Sequence, residues 1–200
     1  MKIYDKDIRK VLYKKILETK EFISDSSTLV IDEFNVCRGS SRADIAVING
    51  KLHGYEIKSE QDTLDRLPGQ VSDYNKIFDK VTIVAAEKYI DKIYNIIPDW
   101  WGVYCVENKN NKLSLKRKRN ARINRNIDTV NLLQLLWKDE LIQLLHSHGI
   151  TKGIRNKNIN SLAQIASENI NKNEIKVYVK EQLKKRQDWR AVKLNEITYS

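Results

Sequence analysis

The sequence predicts an α/β fold: a mixed sheet with helices packed on it, followed by a helical C-terminal region. Three observations carry that expectation. Short runs rich in β-branched residues at 28–36, 42–48, 54–58 and 80–86 have the length and composition of strands. Amphipathic stretches precede the first run and separate the third from the fourth. From Asp128 onward the apolar spacing turns helical. With 200 residues and 41% hydrophobic content, the chain suits one medium domain or a domain with an appendage, and the composition is not that of a disordered chain.

Taken in order, Ile8, Val11, Leu12 and Ile16 recur at three and four residues among charges, which predicts a helix through about Glu18. Ser24 to Ser27 reads as a loop. Residues 28–36, TLVIDEFNV, read as a strand interrupted by Asp32 and Glu33, and alternation does not decide between those two acids. Cys37 to Ser41 is a loop containing Gly39. RADIAVI then runs into Asn49-Gly50, a turn, and GYEIK returns as the second arm of a hairpin. Asp62-Thr63 reads as a helix N-cap with Asp65 in the first turn. Pro68 predicts a break near Leu67 and a fresh start before Gln70. KVTIVAA at 80–86 is a buried strand, residues 87–97 a helix, Pro98-Asp99 a turn and 101–106 a further strand. Trp100 and Trp101 read as packing residues. The basic tract 109–125 predicts a hairpin strand and then a loop. Beyond Asp128, residues 137–170 read as helix, turn, helix with a stop at Gly149, and a last helix spans about 172–188. His146 and His148, two apart, point to different helix faces and do not suggest a shared metal.

The hairpin concentrates the chemistry. Glu56 and Lys58, two apart on a strand, share a face, while Tyr55 and Ile57 point the other way. Gln70 and Tyr74, four apart, share a face of the next helix. Asp44 sits on the first arm. Such apolar arms belong inside a sheet, where charges are costly and tend to be functional. Crowded carboxylates repel, and a divalent cation relieves the repulsion. Mg²⁺ takes oxygen ligands and only one or two carboxylates, and a lysine beside it can hold an attacking water. A two-residue Asn49-Gly50 turn would set Asp44 on the face opposite Glu56. A shared site therefore predicts a three-residue loop, Ile48-Asn49-Gly50, or a bulge elsewhere in the hairpin.

Asp44, Glu56-Ile57-Lys58 and Gln70-x-x-x-Tyr74, in this order, resemble the PD-(D/E)XK nuclease superfamily, in particular its RecB-type branch. RADIAVINGKLHGYEIKSEQDTLDRL also resembles a family of poorly characterised restriction-endonuclease-like proteins of bacteria and phages. The likeness covers roughly residues 28–106, and Ala43 stands where many members carry proline. It implies a restriction-endonuclease-like αβββαβ core in a nuclease-like domain, 1–126, followed by a helical basic region, 127–200. It implies a Mg²⁺- or Mn²⁺-dependent deoxyribonuclease in which Asp44, Glu56 and the Ile57 carbonyl hold the metal and Lys58 orients the water. Gln70 and Tyr74 would brace the site or contact the DNA strand, and Glu33 would supply a further acid for a second metal or a water. Residues 137–170 are also loosely similar to SAP-type DNA-binding modules, on Leu141, Leu144, Leu145, Gly149, Lys157 and Leu162.

The net charge of +10 is unevenly placed. Residues 1–111 hold 17 Lys+Arg and 18 Asp+Glu, whereas residues 112–200 hold 19 and 8, a net of +11 for the second part. That asymmetry points to a nucleic-acid partner, DNA, with Arg42, Lys116, Arg117, Lys118, Arg119, Lys152, Arg155 and Lys157 as candidate contacts. A non-catalytic DNA-binding protein that retains a nuclease fold, and a nuclease acting on RNA, are the alternatives. Two separated cysteines, no apolar leader and no long apolar run lead us to expect a cytoplasmic, membrane-free protein. A monomer and a homodimer both remain open.

Overall fold

The computed structural model describes residues 3–110 and 112–186. Helix α1 (Asp5–Leu17) and a single turn, α2 (Lys20–Ile23), precede three antiparallel strands: β1 (Leu29–Val36), β2 (Ser41–Ile48) and β3 (Leu52–Lys58). Helix α3 (Leu67–Ile77) crosses over to β4 (Lys80–Ala86), which lies parallel to β3. The short α4 (Ile90–Tyr94) leads to β5 (Gly102–Lys109), parallel to β4, and β6 (Lys112–Arg119) closes the sheet antiparallel to β5. The strands lie in sequence order, β1 to β6, in one mixed six-stranded sheet. Helices α5 (Thr129–Leu133), α6 (Lys138–Ser147), α7 (Ile159–Asn169) and α8 (Lys172–Lys185) follow. The protein is thus α/β with a mixed sheet and a helical C-terminal region, as its apolar spacing predicts.

Alternation along the strands builds two cores. Val30, Ile45, Val47, Tyr55, Ile57 and Val84 face α1, whose Ile8, Leu12 and Ile16 are buried against them. The other face carries Ile31, Phe34, Ile48, Ile83 and Val103, and packs on α3 and on the C-terminal helices. Trp101 is fully buried there, its ring stacked on Tyr74 at 5.9 Å. This second cluster runs without a break from the sheet through Ile127 and Leu133 to Leu141, Leu145, Leu162 and Val179. The helices beyond residue 126 therefore complete the sheet's core. Lys176 and Lys180 of α8 tie back to the buried Asp79 at 2.8 and 3.9 Å, and Asp79 Oδ2 in turn accepts the Leu52 N–H.

Three local expectations change. Asp62 does not cap the helix: its carboxylate accepts the Ser59 N–H and hydroxyl in a turn, and α3 begins only at Leu67, with Pro68 in its first turn. A proline there costs no hydrogen bond, because the first N–H groups of a helix have no partner within it. The 87–97 helix shortens to a 3₁₀ turn and Ile90–Tyr94. The hairpin loop is Asn49-Gly50-Lys51, with Ile48 opposite Leu52, rather than Ile48-Asn49-Gly50. Asn49 Oδ1 accepts the Lys51 N–H and closes that turn. The predicted end of α8 near residue 188 lies outside the described residues. Among the described residues, no helix is long and apolar enough to cross a membrane.

Candidate active site: an acid–lysine cleft at the end of the hairpin

Strands β2 and β3 pair from Ile48/Leu52 to Ile45/Tyr55 and then part. At that level Asp44 comes opposite Glu56, the parity that a shared site requires. In place of the next ladder bond, Asp44 Oδ2 accepts the Ile57 N–H at 2.6 Å. An extended residue directs its N–H and C=O to the same side when it pairs with a neighbour, so the Ile57 carbonyl also faces the gap that β2 leaves. The gap opens into a cleft of about 670 Å³, lined by Arg9, Glu33, Arg42, Asp44, Glu56, Ile57, Lys58 and Gln70 among others.

Glu56 and Lys58 are nearly fully buried, at 2% and 4% exposed. Lys58 Nζ donates to Glu56 Oε1 at 2.8 Å and to Gln70 Oε1 at 3.1 Å. Gln70 Nε2 donates to the same Glu56 oxygen at 2.6 Å, so the amide spans both charged groups. The Tyr74 hydroxyl reaches Glu56 Oε2 at 2.6 Å and the Arg42 carbonyl at 2.7 Å. Burial and the Glu56 charge push the Tyr74 phenol well above its usual range, which keeps it a donor. The i, i+4 spacing of Gln70 and Tyr74 on α3 is what delivers both to one carboxylate.

Asp44 is in the opposite condition. Burial, and then the Glu56 charge, push its carboxyl up to about 8, while the Ile57 N–H and Arg9 pull the other way. Metal-free, the Asp44 carboxyl therefore favours its neutral form near pH 7, beside the charged Glu56.

Strict alternation fails in β1 and β2 at one common level. Ile31 and Phe34, three apart, reach the same core cluster, as do Ala43 and Ala46. Glu33, lying between, has φ of 55°, a left-handed conformation uncommon for a side-chain-bearing residue. This is why alternation alone could not choose between Asp32 and Glu33: both end near Arg9 of α1. Arg9 Nη1 lies 3.2 Å from Asp32 Oδ1 and 2.8 Å from the Asp44 carbonyl oxygen, and Nη2 lies 3.1 Å from Glu33 Oε1. The Tyr13 hydroxyl donates to Asp32 from the next turn of α1. Arg42 Nε holds the other Glu33 oxygen at 2.7 Å. Arg9 was not among the residues that the sequence singled out. The available sign was the Asp5/Arg9 pair, four apart at the border of the apolar stripe, but Lys6, Lys10 and Lys14 are no less prominent in the sequence.

Asp44, Glu56, Ile57, Lys58, Gln70, Glu33 and Arg42 therefore line one cleft, with Tyr74 fully buried and bonded to Glu56. The basic tract does not line it. Lys116, Arg117, Lys118 and Arg119 sit on the edge strand β6, three strands from β3. Their alternation splits them, since Arg117 pairs with Tyr104, which packs on the α1 side, and Lys116 with Cys105 of the other core. Lys116 lies 3.4 Å from Glu107. Arg119 is committed to the Trp101 and Pro98 carbonyls at 2.7 and 3.0 Å. Lys152, Arg155 and Lys157 are exposed in the loop before α7. That helix is tied to the turn between β1 and β2, where Arg38 Nη1 donates to Asn160 Oδ1 at 3.1 Å. Leu141, Leu144, Leu145 and Leu162, the apolar residues of the helix-turn-helix pattern, are buried in the main core, and Gly149 ends α6 with φ of 76°. His148 is bonded to Glu174 at 2.8 Å.

The donor set is all oxygen: Asp44, Glu56 and the Ile57 carbonyl. A carboxylate offers about four lone-pair directions. Glu56 uses three of them on Lys58, Gln70 and Tyr74, and Asp44 uses one on Ile57. That leaves room for a hard divalent cation of the kind that takes one or two carboxylates. Among the described residues, no three His, Cys, Asp or Glu side chains group in a way that could hold a metal.

Fold and site define an α/β protein of mixed sheet with a buried carboxylate–lysine pair opening on an acidic cleft. The chain belongs to the family described as Bacteriophage P4 protein cII, which matches residues 4–200. "Protein cII" of Enterobacteria phage P4 is 32% identical over 170 residues, 85% of this chain and 63% of that protein. The chain thus spans less than two thirds of that relative's length. Among solved structures, the SPO1766 protein of unknown function from Silicibacter pomeroyi is similar at 14% identity, covering 58% of this chain and 70% of that one with a TM-score of 0.39. That likeness carries no argument about function.

Proposed function

We propose that the chain is a divalent-metal-dependent nuclease of the PD-(D/E)XK type that hydrolyses DNA. The observation that carries this reading is the Glu56–Lys58 pair, buried at 2% and 4% exposure yet facing an open cleft beside Asp44. Burying an ion pair gains little stability over apolar residues, so one retained at a cleft suggests chemistry.

Asp44, Glu56 and the Ile57 carbonyl would hold Mg²⁺ or Mn²⁺. When bound, the ion would polarise a phosphoryl oxygen and lower the pKa of a water. Lys58, fixed by Glu56 and Gln70, orients the attacking water and stabilises the negative charge that develops on the phosphoryl oxygens. Gln70 keeps the lysine and the glutamate in register through its two amide ends. Tyr74 pins the second Glu56 oxygen, so the carboxylate cannot rotate away from Asp44. Arg42, 59% exposed on the rim, meets the phosphate backbone. The excess of +11 in residues 112–200 favours a nucleic-acid substrate. We place the activity in the cytoplasm, and membership of a family named for a phage protein supports a phage or genome-defence setting.

The test is cleavage of linear, circular and single-stranded DNA, and of RNA, with Mg²⁺, Mn²⁺ or EDTA. DNA cut in a metal-dependent way by the wild type, and not by Lys58→Ala, is the expected result. Cleavage of RNA alone would make the substrate RNA. Tight DNA binding without cleavage under any of these metals would leave a non-catalytic binding protein.

A further inference from the structure

Arg9 is the one cation that meets four carboxylates among the described residues. Nε lies 3.1 Å from Asp5 Oδ1, Nη1 lies 3.2 Å from Asp32 Oδ1, and Nη2 lies 3.1 Å from Glu33 Oε1 and 3.6 Å from Asp44 Oδ1. Nη1 also donates to the Asp44 carbonyl at 2.8 Å. The side chain is 16% exposed. A guanidinium carries five N–H donors in a planar fork and does not deprotonate. Four of the five are engaged, so its plane and position are fixed from α1, β1 and β2 together.

Glu33 is equally committed. Arg9 takes one of its oxygens and Arg42 the other, at 3.1 and 2.7 Å. Its left-handed backbone, φ 55°, turns it out of the strand's alternation toward these two guanidinium groups. A second divalent ion between Glu33 and Asp44 would have to enter where a permanent positive charge already sits.

We infer that Arg9 occupies the second cation position of the cleft, so that the site takes one divalent ion, on Asp44 and Glu56, and Glu33 is a partner of Arg9 and not a metal ligand. This rests on the metal-dependent reading above and decides its stoichiometry. Arg9 is a positioning residue: it neutralises the acids of α1 and β1 and fixes Asp44 through both its carboxylate and its carbonyl.

The test counts Mn²⁺ bound per full-length chain, by calorimetry and by the spin-resonance signal of free Mn²⁺, without nucleic acid. The wild type is expected to bind one ion. Glu33→Gln is expected to bind one ion with an affinity within about threefold of wild type, since an amide oxygen still accepts from Arg9. Arg9→Met, which takes this counter-charge from Asp5, Asp32 and Asp44 and leaves Glu33 with Arg42 alone, is expected to bind two. Two ions in the wild type, loss of binding in Glu33→Gln, or a folded Arg9→Met that still binds one would overturn the inference and leave the nuclease reading standing. No ion in the wild type would remove the metal reading itself, and the inference with it. If Arg9→Met does not fold, the wild-type count and Glu33→Gln decide alone.

Discussion

The Ile57 N–H donates to Asp44 Oδ2 at 2.6 Å, at the level where β2 and β3 cease to pair. A side chain thereby replaces a backbone acceptor, and the acid is held at the mouth of the cleft by the strand that carries Glu56 and Lys58. Asp44→Ala leaves that N–H without its acceptor and should cost about 1–3 kcal/mol in denaturant unfolding. Asp44→Asn keeps an acceptor oxygen and removes the charge. It should unfold close to wild type yet cleave about 10²–10³ slower, the usual loss for one positioned group. Equal stability of the two variants would mean that the bond does not hold the strand.

The pH dependence follows from the same acid. Asp44 is pushed up to about 8 when folded, from an ordinary value of 3.8. Between those values the folded chain keeps a proton that the unfolded chain has released. Its contribution to stability is full below the lower value and is lost as pH rises through the upper one. Metal-free protein should therefore lose stability from about pH 4 to about pH 8, and Asp44→Asn should flatten that fall. Divalent-ion binding at pH 7 should release a proton, seen as a dependence of the calorimetric heat on the buffer's ionisation enthalpy.

Lys58→Met tests structure and chemistry together. The pair is buried, and removing one partner strands the other. The loss should be about 3 kcal/mol of stability, the low end for a broken buried pair, because Gln70 and Tyr74 still donate to Glu56. Adding Glu56→Gln should restore part of that stability but none of the cleavage. A folded Lys58→Met that cuts at the wild-type rate would remove Lys58 from the reaction.

Tyr74→Phe keeps the ring packing with Phe78 and Trp101, at 5.4 and 5.9 Å, and deletes only the hydroxyl. Loss of a hydrogen bond to a charged acceptor should cost about 1.5–3 kcal/mol in unfolding. Cleavage should fall through kcat more than KM, because Tyr74 fixes a carboxylate and does not reach the substrate.

The basic loop before α7 can be tested without disturbing the core. A chain ended near residue 127 would strip α5 to α8 from the cluster that holds Trp101 and Tyr74, so its failure would be uninformative. Charge reversal at Arg155 and Lys157 is the cleaner experiment. Each phosphate that the variant no longer neutralises should reduce the slope of log affinity against log salt by about 0.9 on duplex DNA. The same reversal at Lys116 and Lys118, on the far edge strand, should change the slope less. The opposite ranking would move the DNA path to β6.

The sequence by itself determined the strands, the order of the elements and the core of the candidate site. Those features are written in local patterns: β-branched runs, the Asn49-Gly50 turn, the i, i+2 spacing of Glu56 and Lys58, and the i, i+4 spacing of Gln70 and Tyr74. It also set a condition on the hairpin, because sharing a face is a matter of parity, and the loop met it one residue further on than predicted. Only the tertiary structure decided what each acid meets. Glu33 turns on a left-handed backbone that no composition announces. Arg9 comes from a helix more than twenty residues away in sequence and looks there like any other surface charge. The split of the basic tract between two faces and the fusion of the C-terminal helices into the sheet's core are likewise settled by packing. Periodicity reports which side of an element is apolar; what that side meets is decided when the elements come together.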